Sequence, residues 1–130
     1  MMPRRSGFTL IELLIVMIVI AILATIGLTH YWSVKDRSLM NVVQSDLRNL
    51  ASEQEIYFNT NFSYTNVLTN MPDFTPSMGV TINVTYSAQD GWAANATHVS
   101  LSTLTCGLFT GNAPAASGAP ATANGVIGCN

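Results

Sequence analysis

Charged side chains are scarce in this chain: Asp, Glu, Lys and Arg make up 9% of it, against 48% hydrophobic residues. Intrinsic disorder is excluded by so oily a balance, because disordered chains combine low hydrophobicity with high net charge. Basic residues number only five and the formal net charge is -2, so no nucleic-acid partner is expected, phosphate neutralisation needing clustered Lys and Arg. No glycine-rich phosphate loop and no metal-binding motif occurs. The two histidines, His30 and His98, have no acid and nucleophile arrangement readable around them, and Glu53 and Glu55, two residues apart, cannot share a helix face. These absences predict a protein that is not an enzyme and that has no metal and no cofactor.

Cysteine is nearly absent too. Cys106 and Cys129 are the two present, and no His, Asp or Glu lies between them. A disulfide is favoured over a metal site, which implies folding in an oxidising compartment outside the cytoplasm. A pair of buried thiols is the alternative. With 130 residues, the chain is long enough for one compact head beside the apolar stretch near its start.

That stretch, LIELLIVMIVIAILATIGL over residues 10–28, carries a single charge, Glu12. Its length is about that needed to cross the hydrocarbon core as a helix. Arg4 and Arg5 precede it, so the positive-inside rule places the N-terminus in the cytoplasm and the remainder outside. A carboxylate in a membrane helix costs about 2.5–3.5 kcal/mol unless it lies near the interface or is paired. Glu12 therefore either rests at headgroup level, favoured by the positive end of the helix dipole, or has a partner. A secretory signal peptide shares this layout, but small residues at cleavage spacing occur only weakly, as Thr25 and Gly27, and the run is longer than a usual h-region.

The run Arg4-Arg5-Ser6-Gly7-Phe8-Thr9-Leu10-Ile11-Glu12-Leu13-Leu14-Ile15-Val16 closely resembles the class III signal of type IV prepilins and of the related type II secretion pseudopilins. The resemblance implies a leader of residues 1–7, cut between Gly7 and Phe8 by a prepilin peptidase, and N-methylation of Phe8. It also implies a role for Glu12 in subunit assembly, pairing with the Phe8 amine of a neighbouring subunit in a setting of low dielectric. Removal of the leader leaves Lys35, Arg37 and Arg48 against seven acidic residues. One departure from the family pattern is that no proline interrupts the late apolar stretch; Gly27 is the single candidate soft point, at roughly 1 kcal/mol relative to alanine.

From His30 the pattern becomes amphipathic. Leu39, Val43, Leu47 and Leu50 recur at helical spacing, with Tyr57 and Phe58 on the same face. Neither Pro nor Gly falls between Leu28 and Phe62, so one rod of about 50 residues, near 75 Å, is expected. Asn59-Thr60-Asn61 reads as its end. The segment from Asn49 to Phe58, followed by Phe62-Ser63-Tyr64-Thr65, also resembles a recurring feature of small bacterial pilins.

Beyond Pro76 the period is two. Val80, Ile82, Val84 and Tyr86 alternate with polar residues, Asp90-Gly91 signals a turn, Trp92 to Val99 reads as the returning strand, and Leu104 to Phe109 as a third. One face of this antiparallel sheet is expected against the helix and the other in solvent. Residues 111–125, rich in Ala, Pro, Ser, Gly and Asn, read as a surface loop, similar to the disulfide-bounded C-terminal region of many type IV pilins. The expected fold class is α+β, type IV pilin-like. Its domains are a leader at 1–7, a transmembrane or filament-core helix at 8–29, and an extracellular or periplasmic head at 30–130. The head comprises a helix at 30–58, a loop at 59–78, a sheet at 79–110 and a C-terminal loop at 106–129.

Three triplets, Asn61-Phe62-Ser63, Asn83-Val84-Thr85 and Asn95-Ala96-Thr97, fit the glycosylation acceptor pattern, which chance produces often in a chain this rich in Asn, Ser and Thr. Phe8, Tyr31, Trp32, Tyr57 and Phe58 invite reading as an electron path, but aromatics are routine anchors at cores and membrane interfaces. The expected function is a structural subunit of a type IV pilus for adhesion or twitching motility. Its expected partners are copies of itself in a helical filament, the prepilin peptidase, the assembly platform of the inner membrane, and the bilayer before assembly. A pseudopilin of a type II secretion system and a DNA-uptake minor pilin are the alternatives. The expected location is the inner membrane as precursor and then the surface of a bacterium.

Overall fold

The computed structural model describes residues 7–130. Of the expected leader, residues 1–6, with Arg4 and Arg5, lie outside the described residues. The chain divides into two units, the first ending at Lys35 and the second running from Asp36 to Asn130.

One helix, α1, spans Leu10–Asn61, 52 residues. No proline interrupts it, and it stays helical through Gly27, its one glycine. In the first unit the large apolar residues of the run, from Phe8 to Leu28, are exposed. This part of α1 is long and apolar enough to cross a membrane.

In the second unit α1 becomes one wall of a core. Val43, Leu47, Leu50 and Gln54 are fully buried, at spacings of four, three and four that keep them on one face. At about 1.5–3 kcal/mol for each large apolar side chain taken out of water, this stripe is what binds helix to sheet. The helix runs past the expected end at residue 58. Phe62, at φ 54° in the left-handed region, lets its N–H reach the Phe58 carbonyl at 2.8 Å, and the Asn61 side chain donates to the Tyr57 carbonyl at 3.0 Å. Those bonds satisfy the last carbonyls.

The connection that follows holds a single short 3-10 turn, Leu68–Asn70, and is tied back to α1 at two points. Gln54 donates from Nε2 to the Thr65 carbonyl at 2.6 Å and accepts from the Thr65 N–H at 3.0 Å. Asp46 accepts from the backbone N–H and the hydroxyl of Ser77 at 2.7 and 2.9 Å. Between these clamps Met71 and Phe74 enter the core.

Four antiparallel strands follow in sequential order: β1 Val80–Ser87, β2 Gly91–His98, β3 Leu101–Gly111 and the short β4 Gly128–Cys129. Gln89 and Asp90, rather than Asp90 and Gly91, are the two central turn residues, since the Ala88 N–H closes the hairpin on the Gly91 carbonyl at 2.9 Å. Gly91 belongs to β2, where a Cβ would collide with the Thr110 carbonyl. Val80, Ile82, Trp92, Ala94, Ala96, Cys106 and Leu108 join the α1 stripe in the main core.

The expectation of a solvated second face is corrected here. Ala93 and Phe109, on that face, are buried with Ala113 and Ala121 of the C-terminal segment, so β2 is covered on both sides. The small residues 113–121 make this possible. Gly107 is packed so tightly under the 3-10 turn Ala115–Gly118 that a Cβ on it would strike the Gly118 carbonyl. A segment that reads as solvated from its composition serves as a lid on the sheet, because small side chains let backbone approach backbone.

Candidate functional site: the exposed N-terminal helix and its carboxylate

Thr9 stands immediately before α1 and caps it. Its hydroxyl accepts from the Glu12 N–H at 3.3 Å, while Glu12 Oε2 accepts from the Thr9 N–H at 2.8 Å and from the Thr9 hydroxyl at 2.7 Å. This reciprocal arrangement is a capping box, which satisfies two of the free N–H groups at the helix start. Both bonds that the Glu12 carboxylate accepts reach Oε2; among the described residues Oε1 accepts none. The sequence reading singled out Glu12 and passed over Thr9, although the Thr-x-x-Glu spacing is itself the signal for such a cap.

Phe8 is 81% exposed and precedes the cap. A Cβ added at Gly7 would meet nothing within 4 Å, so among the described residues nothing calls for glycine there. Gly7, Phe8 and Glu12 lie together at the head of an apolar helix whose large side chains are exposed. Contiguous exposed apolar surface of this extent marks a face meant for lipid or for other protein. What the arrangement offers chemically is one carboxylate, held by a threonine, at the start of an oily rod.

The other predicted site residues lie in the second unit. Cys106 and Cys129 are disulfide-bonded, as preferred from the sequence, with an S–S distance of 2.02 Å, and they pair directly across β3 and β4. Gln44 of α1 donates toward Cys129 Sγ at 3.4 Å. His98 is buried, with Nδ1 accepting from the Ser100 N–H at 3.0 Å, a fold-internal role.

The family model that matches residues 2–28 is described as the prokaryotic N-terminal methylation motif. The chain is 34% identical over 89 residues to the type IV major pilin protein PilA of Myxococcus xanthus, covering 68% of this chain and 40% of that protein. It is 42% identical over 64 residues to the type IV wide pilus major component PilA4 of Thermus thermophilus, covering 49% of each. It is also 33% identical over 61 residues to the type II secretion system core protein G of Pseudomonas aeruginosa, covering 47% of this chain and 43% of that one. The chain thus spans between 40% and 49% of the length of these curated relatives. With the methylation motif at its start and one long helix packed on a small antiparallel sheet, the chain has a pilin-like fold and is similar to type IV pilins and to a type II secretion pseudopilin.

Proposed function

We propose that this chain is a structural subunit of a type IV pilus, inserted in the inner membrane, cut between Gly7 and Phe8 by a prepilin peptidase, N-methylated at Phe8 and polymerised on an assembly platform into a surface filament for adhesion or motility. One observation carries the reading: an apolar helix whose large side chains are exposed begins with an exposed Phe8 and a carboxylate whose Oε1, among the described residues, accepts no hydrogen bond. Cleavage creates an amine at Phe8, and Oε1 of a neighbouring subunit can accept from it while Oε2 stays on Thr9. In a medium of low dielectric such a pair is worth far more than in water, whereas either charge alone is costly. Burial of the apolar side chains from Leu10 to Leu28 between helices provides the cohesion, by the same area rule that holds the head together. Gly7 fits as a requirement of the peptidase, since the fold itself leaves room for a side chain there.

Glu12→Val tests the reading. The variant is expected to be inserted and processed, with N-methyl-Phe8 found as the first residue by mass spectrometry, yet to yield few filaments or to be unevenly incorporated. Normal filament yield from that variant would remove the pairing role, and a mature end far from Phe8 would remove the processing step. The similarity to core protein G favours a second reading, a pseudopilin of a type II secretion system. Electron microscopy of a strain carrying a tagged copy separates the two: long surface filaments support the pilus subunit, and their absence with loss of protein secretion supports the pseudopilin.

A further inference from the structure

Within the first unit the character of α1 changes over a few residues. Leu28, 62% exposed, closes the apolar run; Tyr31 and Trp32 follow at 61% and 57% exposure, and Lys35 stands one turn beyond. The two rings meet edge to face, their centres 5.6 Å apart, and the Lys35 Nζ lies 5.2 Å from the centre of the Trp32 ring. Two large rings over half exposed and joined by a cation have nothing to gain from bulk water. They suit the headgroup zone of a bilayer, where the ring body meets acyl chains, the indole N–H and phenol O–H meet carbonyls and water, and a lysine stem extends to lipid phosphates.

The spacing fits as well as the chemistry. From Glu12 to Trp32 is about 20 residues, or roughly 30 Å along a helix, which is the thickness of a bilayer's hydrocarbon core. We infer that Tyr31, Trp32 and Lys35 form an interfacial anchor whose partner is the lipid headgroup layer, and that this anchor sets the depth of the span so that Glu12 and the Phe8 end stand at the opposite headgroup boundary. This rests on the proposed reading of the span as membrane-inserted before assembly. Charge complementarity points the same way: Lys35 faces the phosphates of one leaflet and the Glu12 carboxylate stays within reach of water at the other. A span of this length without the rings would be free to slide toward the side on which Glu12 finds water.

The experiment uses the full chain in vesicles of phosphatidylcholine and phosphatidylglycerol carrying nitroxide labels either near the headgroups or at the bilayer centre. Trp92 is fully buried, and subtracting the signal of a Trp32→Phe variant isolates the Trp32 emission. Several-fold stronger quenching by the shallow label is expected, and stronger quenching by the central label overturns the anchor. In a second arm Leu13→Cys is labelled with a membrane-impermeant maleimide present on both sides, the native cysteines being held in their disulfide. Adding Tyr31→Ala, Trp32→Ala and Lys35→Ala, which keeps helix propensity high, is expected to raise the labelling rate several-fold; an unchanged rate overturns the depth-setting role. Chain that does not sediment with the vesicles overturns the membrane reading and the anchor together, whereas chain that sediments with Trp32 at the bilayer centre overturns the anchor alone.

Discussion

Asp46 and Gln54 sit on the buried side of α1, where a purely apolar stripe would serve the core. Each is there because a chain segment distant in sequence needs its polar atoms. Gln54 satisfies both backbone groups of the buried Thr65, and a buried amide left without a partner costs about 1–3 kcal/mol. Gln54→Leu, similar in volume, is therefore expected to destabilise the head by roughly 2–4 kcal/mol through the orphaned Thr65 N–H and carbonyl. Urea unfolding of the full chain in detergent, followed through Trp92 fluorescence, measures it.

Tyr64, stacked on Phe58 with ring centres 4.8 Å apart, donates its hydroxyl to Glu55 Oε1 at 3.0 Å. Burial first, then the hydrogen bond and charge of Glu55, raise the phenol above its ordinary value of 10.0. A raised acid holds its proton longer in the folded state, so its contribution to stability is complete below the unfolded value and is lost as pH rises through the folded one. The difference between the ultraviolet phenolate titrations of wild type and Tyr64→Phe is expected to show Tyr64 ionising above the usual tyrosine range. Glu55→Gln should bring that transition partly back, and an ordinary midpoint in the wild type would discount the contact.

At the scale of elements, α1 meets two environments along its length, and the same substitution should have opposite weight in each. Leu47 is fully buried under the sheet, whereas Leu14 is 51% exposed. Leu47→Ala is expected to cost about 2–5 kcal/mol of head stability through lost transfer energy and a cavity. Leu14→Ala should leave that unfolding transition unchanged and show its effect in filament yield instead. The sheet has the same duality: a period of two along β1 announces one buried face, but β2 is covered on both because the C-terminal segment folds over Ala93 and Phe109.

For the molecule as a whole, the two units solve different problems. The first presents apolar surface that only lipid or other helices can satisfy, while the second closes its own core and then pins its last segment by the Cys106–Cys129 bond. By the chain-entropy model, a loop with a sequence separation of 23 is stabilised by roughly 3 kcal/mol on closure. The double variant Cys106→Ser with Cys129→Ser is expected to lose about that much in chemical unfolding and to expose the segment around Ala113 and Ala121 to protease. Equal stability and equal protease resistance in the variant would mean that packing on Phe109 and Gly107 holds the segment without the bond.

The sequence by itself determined the apolar span, the N-terminal motif that includes Gly7, Phe8 and Glu12, the amphipathic stripe of Val43, Leu47 and Leu50, and the first three strands but not the short β4, because each of these is written in neighbouring residues or in a short period. Tertiary structure alone decided that Asp46 clasps Ser77, that Gln54 clasps Thr65, and that a loop rich in alanine and glycine roofs the second face of the sheet. Those outcomes depend on which distant backbone groups arrive without partners and on how closely two backbones can approach, and neither quantity exists until the chain has folded.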